Sequence, residues 1–432
     1  MPKITFLGAG STVFAKNVLG DCMLTPALRD SHIALYDIDL QRLKDSENML
    51  NNINKNTGGH AKIVAYTDRK KALEGADYVV NAIQVGGYEP CTVIDFEVPK
   101  KYGLRQTIGD TLGIGGIFRA LRTIPVMLDF ARDMEEVCPD AWFLNYTNPM
   151  AMLTGAMLRA TGIKTVGLCH SVQVCARGLM EGVGMEYDDR VQWKIAGINH
   201  QAWLLEITRD GRDLYPEIKE RSKKYGAPDW DRVRHEIMHT FGYYVTESSE
   251  HNAEYMPYFI KSKYPELIER YNIPLDEYPR RCINQIEGWK KMREELVNNH
   301  DLTHERTHEY ASYIMEAMET NKPYKIGGNV LNTGLITNLP KEACVEVPCM
   351  VDASGVTPTF VGDLPEQCAA LNRTNINVQL LTIQAALTQK KEYIYHAAML
   401  DPHTSSELSL DEIKSLCDDL IEAHGDWLPK YK

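Results

Sequence analysis

The chain of 432 residues reads as an α/β protein built on a doubly wound parallel sheet. Three observations predict this. Apolar runs of strand length alternate with helix-spaced segments at short intervals through the first half. The first such run, "KITFLGAG", ends in glycines where a helix begins, and the second, "HIALYDID", ends in an acid.

Taken in order, "KITFL" is a strand and "VFAKNVLGDCML" a helix by its apolar spacing. "HIALY" is the next strand, followed by the helical "LQRLKDSENMLNNINKN". "KIVAYT" and "DYVVNAIQV" are strands on either side of a short "RKKALEG" helix. A Gly-rich loop leads to the helix "FRALRTIPVMLDFARDMEEV" and the strand "AWFLNYT". Asn148 and Pro149 then open a helix that runs into the strand "KTVGLC". Beyond about residue 190 the rhythm changes. "VQWKIAGI" and "AWLLEITRD" are strands flanking Asn199 and His200, and the remainder reads as mostly helical, with a long apolar-periodic stretch from Leu364 to Met399. The expected organisation is residues 1–190 as a dinucleotide-binding domain and 191–432 as an α+β domain that completes the site.

Composition narrows the function. A net charge of -12 argues against a nucleic-acid partner, which needs a basic face. No run approaches the ~18 apolar residues of a membrane span. The ten cysteines are scattered with no Cys-x-x-Cys, and the N-terminus starts directly as a strand. Both features fit reduced thiols in a cytoplasmic protein.

Gly8, Gly10 and Ser11 sit where the first strand turns into the first helix. Such a turn lets the backbone approach a pyrophosphate, favoured there by the helix N-terminus. The third glycine of the usual fingerprint is replaced by Val13. Asp37, ending the second strand, can bind both ribose hydroxyls and would repel a 2'-phosphate, so NAD is expected over NADP. Asn81 ends the fourth strand on the same edge.

Chemistry in open α/β sheets gathers outside the carboxyl ends of the strands. There the sequence puts "GDTLGIGG" (109–116), Asn145, Asn148, Cys169 and His170, with His200 joining from the second region. Cys169 precedes a helix whose N-terminus should favour thiolate. A thiolate and the His200 imidazole would leave open positions on a divalent ion, as in a catalytic rather than a structural site. Taken alone, Cys169 reads more readily as core filler.

Two other histidine patterns are weighed and set aside. "HEIMH" (235–239) matches a zinc-protease motif but follows a complete dinucleotide domain and lacks a third ligand. His300, His304 and His308 recur every four residues and are expected to form a solvated stripe on one helix face.

The motifs "FLGAGS", "LYDID", "ADYVVNAIQVGG", "GDTLGIGG", "NYTNP", "GLCHSV" and "GINHQAW", in this order, resemble glycoside hydrolase family 4 from end to end. That family joins a Rossmann-like fold, kin to lactate and malate dehydrogenases, to glycosidase activity with NAD and a divalent metal. The resemblance implies Cys169 and His200 as metal ligands, usually for Mn²⁺, Asn148 as a substrate contact and His170 as general acid. It also implies a homodimer or homotetramer acting on a small carbohydrate. Members acting on 6-phosphorylated sugars carry Asn or Asp after the cysteine and Pro two residues later. "CHSV" looks instead like the branch for unphosphorylated α-galactosides, the bacterial melibiase type, and α-glucosides. The phospho-sugar enzymes also have Gln-Glu-Thr where this chain has Gly109, Asp110 and Thr111.

The implied reaction is redox-neutral: oxidation at C3, elimination across C2 and C1, addition of water, and reduction. It departs from the paired-carboxylate chemistry of most glycosidases. The C2 base is left open among Tyr243, Tyr244, Tyr255, Tyr258, Glu247 and Glu250. Sulfur and imidazole would bind later divalent metals more tightly than Mn²⁺, so manganese rests on the resemblance. The rivals are an α-glucosidase of the same family, an NAD-dependent hydroxy-acid or sugar dehydrogenase, and an NAD-sensing regulator.

Overall fold

Six strands from the first half form a parallel sheet: β1 (Lys3–Leu7), β2 (His32–Tyr36), β3 (Lys62–Tyr66), β4 (Tyr78–Asn81), β5 (Trp142–Asn145) and β6 (Lys164–Leu168). Their spatial order is β3-β2-β1-β4-β5-β6, every neighbouring pair parallel. The structure, a computed structural model, describes residues 1–432.

Alternation along the strands divides the core. Phe6, Val80 and Leu144 face the helices Thr12–Leu24 and Leu40–Asn56. Leu7, Val79 and Phe143 face the helix Gly113–Val137 on the other side. Both faces are therefore covered, which explains why these strands are continuous apolar runs. The order of the six strands reverses between β1 and β4, which opens a crevice at their carboxyl ends.

The later strands are β7 (Val191–Ile198), β8 (Gln201–Arg209), β9 (Arg212–Asp213), β10 (Tyr244–Val245), β11 (Tyr324–Leu331), β12 (Cys344–Asp352) and β13 (Gly355–Pro358). They extend the same sheet in antiparallel fashion, β6-β11-β12-β7-β8-β10, to thirteen strands. The sheet thus continues unbroken past residue 190, because β11 and β12 insert between β6 and β7.

These two central strands are hidden in the sequence by their glycines, proline and acid. A Cβ on Gly327 would lie 2.9 Å from the Val172 side chain, and one on Gly328 would lie 2.8 Å from the Cys349 sulfur. Close packing there requires glycine and erases the apolar signal.

The apolar-periodic stretch from Leu364 to Met399 is helical, as two helices, Glu366–Thr388 and Lys391–Leu400. They are separated at Gln389, whose φ is 55°. No helix is long and apolar enough to cross a membrane.

The expectation of a helical, solvated His300–His304–His308 stripe is corrected. This segment forms no helix, and His304 is buried. Its Nε2 lies 2.7 Å from Asp21 Oδ1, so a buried carboxylate competes successfully with solvent for the imidazole.

Candidate active site

At the β1 turn Gly8 has a φ of 86° and donates its N–H to the Tyr36 carbonyl. A Cβ at Gly8 would lie 2.7 Å from the Ala82 carbonyl oxygen, so this cradle excludes any side chain. The Gly10 N–H donates to Asp37 Oδ2 at 2.6 Å, while Asp37 Oδ1 accepts the Asp39 N–H. Ser11, at the helix N-terminus, is exposed. Close backbone approach, free helix N–H groups and a strand-end acid fit a dinucleotide.

Asn81 is turned inward. It is fully buried and donates to Asn145 Oδ1 (2.9 Å) and Thr147 Oγ1 (3.2 Å), tying β4 to β5 just behind the strand ends. Asn145 lies in the same buried network. Asn148 faces the open side: its Nδ2 reaches Asp110 Oδ2 at 3.5 Å, and its buried Oδ1 has no protein partner.

Beside them is a cavity of about 310 Å³, lined on the strand-end side by Ile83, Gln84, Asn148, Cys169 and His170. The facing wall is Asp110, Arg119 and Tyr278. Burial pushes the Asp110 carboxyl up, but the His251 hydrogen bond and the Arg119 charge hold it well below the ordinary carboxylate range. The Arg119 guanidinium lies 5.4 Å from the Tyr278 ring centre and donates to its hydroxyl at 3.2 Å.

Cys169, His200 and Glu247 each offer one ligand atom within 4.8 Å of the others. His200 sits on the β7–β8 turn with a φ of 63°, and Glu247 follows β10 with a φ of 66°. Two non-glycine residues held left-handed at one point mark a place where the fold sets side-chain direction against backbone preference. Glu247 Oε2 is 3.4 Å from His200 Nε2 and 3.9 Å from the Cys169 sulfur. A soft sulfur, an imidazole and a carboxylate suit a divalent transition metal with positions left for substrate.

The expectation that the helix N-terminus lowers the Cys169 pKa is corrected. Burial, then the carboxylates of Glu247 and Glu346, push this thiol well above its ordinary value. Burial, with two acids close by, outweighs the fractional charge of a helix end. A cation at the cluster would reverse the sign of that field.

His170 is half-exposed, stacked against Tyr146 with ring centres 5.9 Å apart. Its Nε2 donates to Glu309 Oε2 at 2.6 Å, and that bond raises its pKa against the opposing effect of burial.

Of the six candidate bases, only Glu247 and Tyr255 reach the centre. The Tyr255 hydroxyl is 3.0 Å from His200 Nδ1, behind the cluster, and the residue is 1% exposed. Tyr244 bonds buried Asp231, Tyr243 packs on Tyr215, Tyr258 is exposed, and Glu250 pairs with Arg281. Sequence reasoning missed Arg119, Tyr278, His251 and Glu309, none of which lies at a strand end.

The "HEIMH" segment is helical, yet His235 Nδ1 and His239 Nε2 both turn to the Ser222 hydroxyl, at 2.7 and 2.9 Å.

With this geometry in view, two family models match the chain: family 4 glycosyl hydrolase over residues 3–185, and the family 4 glycosyl hydrolase C-terminal domain over 195–404. An alpha-galactosidase of Bacillus subtilis (strain 168) is 68% identical over 433 residues, covering 100% of both chains. An alpha-galactosidase of Rhizobium meliloti (strain 1021) is 36% identical, covering 99% of this chain and 89% of its own. Among solved structures, a 6-phospho-alpha-glucosidase from gut microorganisms in complex with NAD and Mn²⁺ superposes with a TM-score of 0.83 at 21% identity, covering 100% of both chains. Motif order, sheet topology and full-length likeness agree, and the chain belongs to family 4 of the glycosyl hydrolases.

Proposed function

We propose that the protein hydrolyses terminal α-galactosides such as melibiose, by redox-neutral oxidation, elimination, addition and reduction. The substrate class is supported by the full-length likeness to the two bacterial alpha-galactosidases. The observation that carries the mechanism is the Cys169–His200–Glu247 cluster, set against the cavity at the carboxyl ends of a dinucleotide-type sheet.

When bound, NAD⁺ supplies a hydride acceptor for the sugar's C3 and Mn²⁺ supplies Lewis acidity that makes the C2 proton labile. Gly8, Gly10, Ser11 and Asp37 hold the dinucleotide, with Asn81 bracing the strand ends behind it. Cys169, His200 and Glu247 hold the metal. Asn148, with its unpartnered Oδ1, binds a sugar hydroxyl.

The C2 proton passes to the Tyr278 oxygen. Burial raises the Tyr278 pKa, and Arg119, which donates to that oxygen, opposes the rise and favours the phenolate. Asp110 is held well below the ordinary carboxylate range and is the weaker base. His170, whose pKa the Glu309 hydrogen bond raises, gives a proton to the glycosidic oxygen as it leaves C1. Phe14, Tyr146 and Leu168 present apolar surface that limits water around the reacting atoms.

The test is release of p-nitrophenol from the α-galactoside and the α-glucoside, with NAD⁺, Mn²⁺ and a thiol reductant. Galactoside turnover without NADH accumulation is expected. Preference for the glucoside reassigns the sugar, and stoichiometric NADH with no free sugar makes the protein a dehydrogenase.

A further inference from the structure

The helix Glu277–Leu296 is twenty residues long, yet Cys282 is its single buried residue. At 3.6 residues per turn, Tyr278, Cys282, Gln285, Trp289, Arg293 and Leu296 share one stripe. Both ends of the stripe are fastened to the body. Tyr278 bonds Arg119 at one end, while at the other Arg293 makes two bonds to buried Asp45, at 2.7 and 2.9 Å. Leu296 packs on the core.

Gln285, in the middle of the same inward stripe, is nevertheless exposed, as is its neighbour Ile286 at 54%. The helix is a beam fixed at both ends and solvent-exposed at its centre.

Arg42 shows what lies opposite. Its guanidinium carbon is 5.3 Å from the Trp289 ring centre, and its Nη1 donates to the Gly10 carbonyl at 3.3 Å. The same side chain therefore touches both the helix and the glycine turn. Ser11 and Val13, beside that turn, are exposed as well. From Tyr278, at the cavity, the helix rises about 16 Å to Trp289, at the turn. One helix thus runs from the catalytic cavity to the dinucleotide turn, with its exposed middle between them.

We propose that this helix is the outer wall of the cofactor site. Trp289 and Arg42 close over the adenosine diphosphate half of NAD, and the Gln285 amide donates to its oxygens. The strap keeps the cofactor in place within each turnover, so that the hydride taken from C3 is the one returned. The inference rests on the NAD reading above.

The test uses the full-length protein and NAD⁺. Binding is measured by calorimetry, and release by the rate at which NAD⁺ exchanges out of the complex. Trp289→Ala is expected to speed release about tenfold, as loss of the cation–π contact and of the indole's packing over the cofactor implies. Gln285→Ala, a change at an exposed position, is expected to speed it severalfold with unchanged circular dichroism. Separately, NAD⁺ is expected to slow tryptic cleavage after Arg280, Arg281, Lys290 and Lys291 of the unaltered protein. Wild-type release rates in both variants, or equal cleavage with and without NAD⁺, overturn the strap while leaving NAD binding intact. Failure of the unaltered protein to bind NAD⁺ removes both readings.

Discussion

The Tyr255 hydroxyl stands 3.0 Å from Nδ1 of His200, on the side of the ring away from Cys169 and Glu247. An imidazole held from behind is fixed in orientation, with Nε2 left for a metal. Tyr255→Phe is expected to weaken Mn²⁺ binding 10- to 100-fold, the range for lost outer-shell partners. Metal titration checks this, and unchanged affinity would show that the hydroxyl plays no part in metal binding.

Glu309 does for His170 what Tyr255 does for His200. Its bond raises the His170 pKa, so the imidazolium persists to higher pH. A proton donor is active below its pKa, and lowering that value moves the alkaline fall in activity to lower pH. Glu309→Gln is expected to do this and to slow melibiose cleavage about tenfold, while p-nitrophenyl galactoside, with its better leaving group, is little affected. Equal effects on both substrates would refute a role in proton donation.

Tyr278→Phe removes the proposed base but leaves the ring over Arg119. In D₂O, the unaltered protein is expected to place deuterium at C2 of the released sugar. The variant is expected to lose that exchange along with a factor of roughly 10² to 10⁴ in kcat. Mass spectrometry of the product decides; exchange at the normal rate assigns the base elsewhere.

Gly10→Ala tests the cofactor turn without touching the metal. The added Cβ would lie 2.8 Å from Asp37 Oδ2, displacing the carboxylate proposed to bind the ribose. NAD⁺ affinity is expected to fall at least tenfold with metal binding unchanged. A calorimetric titration with NAD⁺ at the original affinity would contradict the assignment.

Glu346, buried on β12, makes a pH prediction for the metal-free protein. Burial pushes its pKa to about 7, against an ordinary carboxyl value of 4.5. Between those values the folded state holds more protons than the unfolded one, so stability falls as pH rises from about 4.5 through about 7. At about 1.4 kcal/mol per unit, this loss is on the order of 3 kcal/mol. Glu346→Gln keeps a hydrogen-bonding partner for Asn329 and is expected to flatten that dependence. Urea unfolding at pH 5 and pH 8 measures it; parallel curves for both proteins would rule Glu346 out.

The parallel half of the sheet was legible because apolar runs buried on both faces leave a local pattern. Gly8, Gly10 and Asp37 were legible for a related reason, since a strand-turn-helix junction and the following strand end lie close in sequence. The strands β11 and β12 were not, because their glycines and Glu346 satisfy neighbours rather than a periodic pattern. His304 misled for the converse reason. Its four-residue spacing suggested a helix, but Asp21, far away in the chain, holds it buried.

By itself, then, the sequence determined the family, the dinucleotide sheet and the meeting of Cys169 with His200 at its edge. Tertiary structure alone decided what surrounds that meeting point. Glu247 is 78 residues from Cys169, and Glu309 is 139 residues from His170. Tyr278 arrives on a helix whose exposed composition hides its inward stripe. Local periodicity encodes which side of an element is buried; the approach of distant carboxylates and phenols is set by how those elements pack, and no spacing in the chain records it.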